Sequence, residues 1–429
     1  MADPVPAPAA ASWWDRRFLI LFALGFSAGV PLPLVAGQVL RQWFTESGLS
    51  LGAIGLTALI GLAYANKFLW SPALDALRPP LLRGLGQRRG WLACIQLLLI
   101  LAIAMVGLSD PRIDPVTTAL LAALVAFLSA SQDIVVDAYR IEVLGEDDQR
   151  QAWGLAAYVW GYRMALLASG AGTLLLVQHI GWSGAYLYGA ALVLAGLVAT
   201  LWGREPARMV VPALGWRSRL RASVLDPFLD FTRRPLWLAI LLFIALFKLG
   251  EALAGVMTTP FYRSLGFTRE DVATVATVFG MFATLAGALA GGWLVGVIGV
   301  RRALIVTGLG QMLSNLMYVA LWSAGHSMPM LWAQVGVESF TDGLADAAFL
   351  TWLSLLTSRA FTATQYALLS SLAAVPLRTL GASSGWLAES LGWPGFFLLT
   401  TAAALPAMGI MLYLLRRLPA EGRGQYRPA

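Results

Sequence analysis

Charge is what this sequence has least of. Asp, Glu, Lys and Arg make up 12% of its 429 residues, about half the roughly 25% of an ordinary soluble domain, which excludes a water-soluble chain. The single cysteine, Cys94, excludes a disulfide framework and any metal site built on paired thiolates. Two histidines, His179 and His326, stand far apart at loop edges and leave little from which to build a metal pair or a hydrolytic triad. Lysine is equally scarce: Lys67 and Lys248 are the only two, and neither lies in a loop. No enzyme, metal or cofactor is expected.

Apolar length is what the sequence has in quantity, with 58% hydrophobic residues and a mean hydropathy of +0.71. A membrane span takes about 20 mostly apolar residues. Twelve such segments are predicted near 17–40, 50–77, 90–108, 115–143, 152–178, 183–203, 236–262, 270–298, 301–322, 329–356, 361–388 and 393–417. The first is too long for the core of a signal peptide and reads as an uncleaved span. Arginines at 16, 17, 88, 89, 150, 233, 234, 301, 302, 416 and 417 fall on one face, whereas the other receives only Arg41, Arg112, Arg263 and Arg269. Because cytoplasmic loops carry the basic excess, both termini are expected in the cytoplasm. The formal charge of +7 is spent on this topology, so the partner is a lipid bilayer and no nucleic acid is expected.

The predicted organisation is a tail at 1–16, a six-helix bundle at 17–203, a cytoplasmic linker at 204–235 holding an amphipathic helix, a second six-helix bundle at 236–417 and a tail at 418–429. The halves echo one another. Asp133 and Asp137 in SQDIVVDAYR match Asp342 and Asp346 in FTDGLADAAF; Arg163 before Ser169-Gly170 matches Arg378 before Ser384-Gly385; Gly181-Trp182 matches Gly392-Trp393. Two related halves around a charged midplane cavity are the expected plan of a secondary transporter working by alternating access.

A charge at the centre of a span costs about 2.5–3.5 kcal/mol, so each needs a partner or water. The intramembrane set is Lys67, Asp133, Asp137, Arg140, Arg163, Lys248, Glu251, Glu338, Asp342, Asp346 and Arg378. Helical spacing puts Asp133, Asp137 and Arg140 on one stripe and Glu338, Asp342 and Asp346 on another. Arg163 and Arg378 are the expected counter-charges. Lys248 and Glu251, three apart, can pair on one face, and a buried structural ion pair is the alternative reading. Five cations face six carboxylates, so one acid is left over and is expected to bind a proton. Asp133, Asp137, Glu251, Glu338, Asp342 and Asp346 are therefore the proton-coupling candidates, with interhelical bracing or a cytoplasmic gate as the alternative.

Further features fit a transporter. In PALDALRPPLLRGLGQRRG, Asp75, Arg88 and Arg89 resemble the loop signature of the major facilitator superfamily; with Arg140 they form a candidate gate. Pro31 and Pro33 break the first span, either to free carbonyls for a cavity or simply to kink a packed helix. Gly25 and Gly29, Gly287 and Gly291, and Gly381 and Gly385 have the spacing of close helix packing. Gly381-Ala-Ser-Ser-Gly385 mimics a serine-hydrolase elbow but lies within an apolar helix with no strand before it.

With these residues laid out, the chain resembles the anhydromuropeptide permeases, the AmpG-type importers of the major facilitator superfamily. The resemblance is carried by GFSAGVPLPL, KFLWSPALD, FLSASQDIVVDAYR, FKLGEALAGVMTTPF and TATQYALLSSLAAVPLR. It implies an all-α membrane protein of twelve transmembrane helices in two pseudo-symmetric bundles, in the bacterial inner membrane. The implied activity is proton-driven import of GlcNAc-1,6-anhydroMurNAc and its peptide-bearing forms for peptidoglycan recycling and beta-lactamase induction, with the proton gradient as energy source and a monomer as the expected state. Muropeptide carboxylates could meet Lys67, Lys248, Arg163 and Arg378; sugar hydroxyls could meet Gln38, Asn66, Gln132 and Tyr158; Trp160, or Trp43, could stack on a sugar ring. Larger members carry hydrophobic segments beyond twelve spans, and many relatives have aspartate at the place of Glu251. Competing readings are a major facilitator carrier of another solute, such as acetyl-CoA, a drug or a sugar, and a muropeptide sensor that does not transport.

Overall fold

In hydrocarbon no water satisfies a backbone amide, so apolar runs of this length must bond internally as helices. The computed structural model describes residues 15–77, 79, 82–145, 148–206, 229, 232–233, 236–355, 375 and 378–417, and among them every regular element is helical. Eight helices are long and apolar enough to cross a membrane: Arg16–Glu46, Arg88–Leu108, Pro115–Leu144, Trp153–Trp202, Trp237–Ser264, Arg269–Ile298, Val300–Ala324 and Ser384–Arg417. Leu51–Asn66 is a shorter apolar helix. Met328–Leu355 has spanning length, 28 residues, and carries the Glu338, Asp342 and Asp346 stripe. The amphipathic helix expected within 204–235, both tails and most of the span expected at 361–388 lie outside the described residues.

The chain forms two compact units. The first comprises Met1–Leu40 and Lys67–Ala213; the second comprises Arg41–Asn66 and Leu214–Ala429. The segment 41–66, the end of the first long helix and the short Leu51–Asn66 helix, thus clusters with the C-terminal residues rather than with its neighbours in sequence.

In the first unit Arg16–Gly29 packs most closely on Asp148–Leu166. Glycine makes the crossing: a Cβ on Gly161 would collide with the Phe22 carbonyl, and one on Gly25 with the Tyr158 carbonyl. The second unit repeats the device where Gly280–Ile298 crosses Met328–Leu355, with Gly287 against the Phe340 carbonyl and Gly343 against that of Thr284. Gly385 likewise meets the Leu51 backbone. The small-residue spacings are packing seams. Around the second unit's seam an aromatic core forms, with Phe247 stacked on Phe349 at 4.8 Å and Phe243 edge-on to Trp352 at 5.0 Å.

The sequence echo at Gly-Trp becomes a backbone echo. Trp153–Trp202, at 50 residues, is long enough for two spans, and it turns at Gly181, where φ is 69° and ψ 176°. Ser384–Ala403 turns at Gly392 with φ 66° and ψ 168°. Only glycine adopts that conformation freely. Beyond Gly181 the chain folds back, since Tyr188 Oη donates to the Ala168 carbonyl at 3.2 Å. Pro31 opens a short helix, Pro31–Val35, and the Leu34 carbonyl accepts a 2.8 Å bond from Tyr186. That carbonyl serves packing.

Candidate functional site

Each unit holds one centre of buried charge. In the first, Lys67 Nζ lies 3.8 Å from Asp133 Oδ2, on the Pro115–Leu144 helix. The contact is loose, the lysine side chain is 36% exposed, and Asp133 Oδ1 is buried with no hydrogen-bond partner. Neighbouring Gln132 donates to Ser27 at 3.2 Å while its own oxygen is unsatisfied. Tyr158 and Tyr162, with rings 6.2 Å apart, lie within electrostatic reach of Asp133. Orphaned acceptors beside a half-exposed ammonium are what a polar ligand would complete.

One turn and more toward the helix end, Asp137 pairs with Arg140 at 3.6 Å. Of the candidate gate residues, Arg88 forms a bidentate pair with Glu142 at 2.7–3.1 Å, and Arg89 donates to the carbonyls of Thr200 and Leu201 at 2.8 Å. Glu205 accepts from the backbone amides of Arg88 and Arg89 at 2.8 and 3.0 Å, capping the Arg88–Leu108 helix where its dipole favours an anion. Asp75 sits in the Ser71–Ala76 helix, and its side chain lies outside the described residues. The sequence reading missed Glu142 and Glu205. Their only signal was an acid near the end of a span facing an arginine-rich loop.

In the second unit Lys248 Nζ is clasped by Glu251 at 2.9 Å, Asp342 at 2.8 Å and Asp346 at 2.5 Å. An ammonium has three hydrogens; here three carboxylates stand around them. Gln311, also missed, donates to Glu251 at 2.5 Å and to Asp342 at 3.3 Å. Sequence spacing anticipated the Glu251 contact but not the two from Met328–Leu355.

This geometry corrects two expectations. Arg163 and Arg378 form no ion pair among the described residues; the carboxylate stripes take Lys67, Arg140 and Lys248 instead, because those side chains reach them first. Arg163 is exposed, and Arg378 lies against Gly61 and near Tyr64. Lys248, expected to meet substrate, is occupied by carboxylates. Of the remaining candidates, Trp160 is 63% exposed on its helix, Gln38 is half-buried in the first unit, and Asn66 donates to the Leu62 carbonyl of its own helix at 3.0 Å. Trp43 is buried in the second unit.

The second unit also carries an ion network that the sequence placed in loops. Glu46, 9% exposed at its side chain, takes a bidentate contact from Arg269 at 2.6 Å, one from Arg263 at 3.8 Å and a hydrogen bond from Gln42 at 2.7 Å. Arg41 donates to the Gly255 carbonyl at 3.0 Å. Outside the spans, the Arg17 hydrogen bond holds the Asp15 carboxyl below the usual aspartate value, and the Thr117 hydroxyl does the same for Asp114.

No protein-family model matches the chain. It is 40% identical over 409 residues to the anhydromuropeptide permease of Escherichia coli K12, covering 94% of this chain and 80% of that one. It is 33% identical over 404 residues to putative transporter AmpG 4 of Rickettsia conorii, covering 93% and 97%. In three dimensions it is similar to the nucleoside transporter NupG, with TM-score 0.69 at 14% identity over 93% of this chain and 99% of that one. It is also similar to a bacterial homologue of the lysosomal transporter Spinster in its inward-facing form, with TM-score 0.66 at 18% identity over 95% and 96%. These relatives are transport proteins, not enzymes.

Proposed function

Since the chain belongs to the anhydromuropeptide permeases of the major facilitator superfamily, we propose that it imports GlcNAc-1,6-anhydroMurNAc and anhydromuropeptides across the bacterial inner membrane in symport with protons, serving peptidoglycan recycling and beta-lactamase induction. The proposal includes twelve spans, cytoplasmic termini, a monomer and alternating access. The observation that carries it is the Lys67–Asp133 contact. A lysine held at 3.8 Å and left half-exposed is available to a substrate carboxylate, whereas a structural pair would be closed. When substrate takes the ammonium, Asp133 loses its counter-charge and is poised to take a proton, which links the two bindings.

The division of labour follows. Lys67, with Arg163 and Arg378, meets muropeptide carboxylates; Gln132 and Tyr158, with Gln38 and Asn66, meet sugar hydroxyls. Lys248 belongs with Glu251, Asp342 and Asp346 on the ion side. Arg88, Arg89 and Arg140, with Asp75, act at the cytoplasmic gate. The test is uptake of labelled anhydromuropeptide by membrane vesicles with and without a proton gradient. Gradient-dependent accumulation is expected; its absence removes the symporter reading.

A further inference from the structure

The clasp around Lys248 has a fourth acid beside it. Glu338 lies four residues before Asp342 on Met328–Leu355, hence one turn along the same face. Lys248 Nζ already has Glu251, Asp342 and Asp346 at 2.5–2.9 Å, and Glu338 forms no ion pair among the described residues. The elements packed on this helix bring it no cation. Gly280–Ile298 and Val272–Phe279 contain no titratable side chain. Val300–Ser314 has only Arg301 and Arg302, at its far end, with Arg301 donating to the Leu415 carbonyl. Leu316–Ala324 offers the Tyr318 hydroxyl; Leu249–Ser264 offers Glu251 and Tyr262, with Arg263 committed to Glu46 and the Phe267 carbonyl.

What Glu338 does have is hydrogen-bond donors. Tyr318 and Ser339 reach its carboxyl. Tyr318 is itself buried, held by Thr258 at 3.3 Å, while Tyr262 donates to Gln334 at 2.6 Å one turn before Glu338. Ionising Glu338 would set a fourth negative charge against a single ammonium inside a span, where an unpaired charge is costly.

We propose that Glu338 is the carboxyl group that carries the coupling proton, with Tyr318 as the residue that positions it. Release of the proton then places a charge one turn from Asp342 and loosens the clasp on Lys248, so that proton occupancy is felt by the three elements meeting there. This rests on the symporter reading for its consequence, but the proton site itself does not require a particular substrate.

The test uses the full chain in proteoliposomes with the membrane potential clamped at zero. Infrared difference spectra between acid and alkaline buffer report protonated carboxyl groups without any substrate. Glu338→Gln is expected to remove one such band present in the wild type. With a gradient of one pH unit, which supports about a tenfold accumulation ratio for one proton, the variant is expected to fall to a ratio of about one while still exchanging substrate across the membrane. Glu338→Asp, which keeps the acid, is expected to restore the band and accumulation with a displaced pH midpoint. Tyr318→Phe is expected to shift the band and the midpoint without abolishing exchange. The proposal is overturned if Glu338→Gln keeps every carboxyl band, accumulates like the wild type, or loses exchange and accumulation together; an unmoved midpoint in Tyr318→Phe removes the positioning role. A wild type that shows the band, lost in Glu338→Gln, but never accumulates anhydromuropeptide would refute the substrate and leave the proton site standing.

Discussion

The two lysines stand in opposite circumstances. Lys67 has one carboxylate, at 3.8 Å, and a side chain 36% exposed; Lys248 has three, at 2.5–2.9 Å, and a side chain 15% exposed. Both lie beside an Asp-x-x-x-Asp stripe, so the internal repeat supplies similar acids and the surroundings decide their use. A loose pair can exchange its partner for a ligand. A closed clasp can answer only to changes in its own protonation, because opening it strands buried charge.

Breaking the clasp should therefore cost structure before it costs transport. Lys248→Met leaves three carboxylates without their cation and is expected to destabilise the protein by about 3–5 kcal/mol, read as a lowered unfolding temperature in detergent and reduced membrane abundance. Lys67→Ala and Asp133→Asn should do the reverse, abolishing uptake while leaving abundance near normal; wild-type uptake in either would make that residue structural. A smaller effect tests the second unit's other network. Glu46→Gln removes a bidentate charged contact worth about 2 kcal/mol, so amide exchange around residues 264–269 should rise about tenfold. The smallest concerns Asp15, which caps the first helix by accepting from the Arg17 amide at 2.9 Å. Asp15→Ala should cost about 1 kcal/mol at neutral pH. Because the folded state lowers the Asp15 value, its ionised-state contribution is present at neutral pH and fades as pH falls below 3.8, so the difference between variant and wild type should shrink there in acid unfolding curves.

Much of this was legible because the membrane limits what a sequence can mean. Hydropathy marked the helices, and four-residue spacing put Asp133 with Asp137, and Asp342 with Asp346, on common faces. The Gly-Trp echo located both turns, although not their left-handed backbone. What escaped were partners from distant stretches. Arg163 and Arg378 were natural counter-charges by repeat position, yet the acids took lysine, since pairing depends on which side chain reaches the stripe. Glu46, Glu142 and Glu205 looked like residues of loop edges; each proved to tie an arginine or a helix end, a role that no local pattern encodes. Gln311 carried no charge to draw notice.

The turns at Gly181 and Gly392 carry a practical consequence. At each, two apolar helical stretches are joined by a single residue, leaving no linker outside the lipid for a protease to cut or a reporter to be inserted. A topology map built on tags will find these joints silent. An insertion there would sever a rod rather than lengthen a strap, and the two arms must enter and leave the bilayer together.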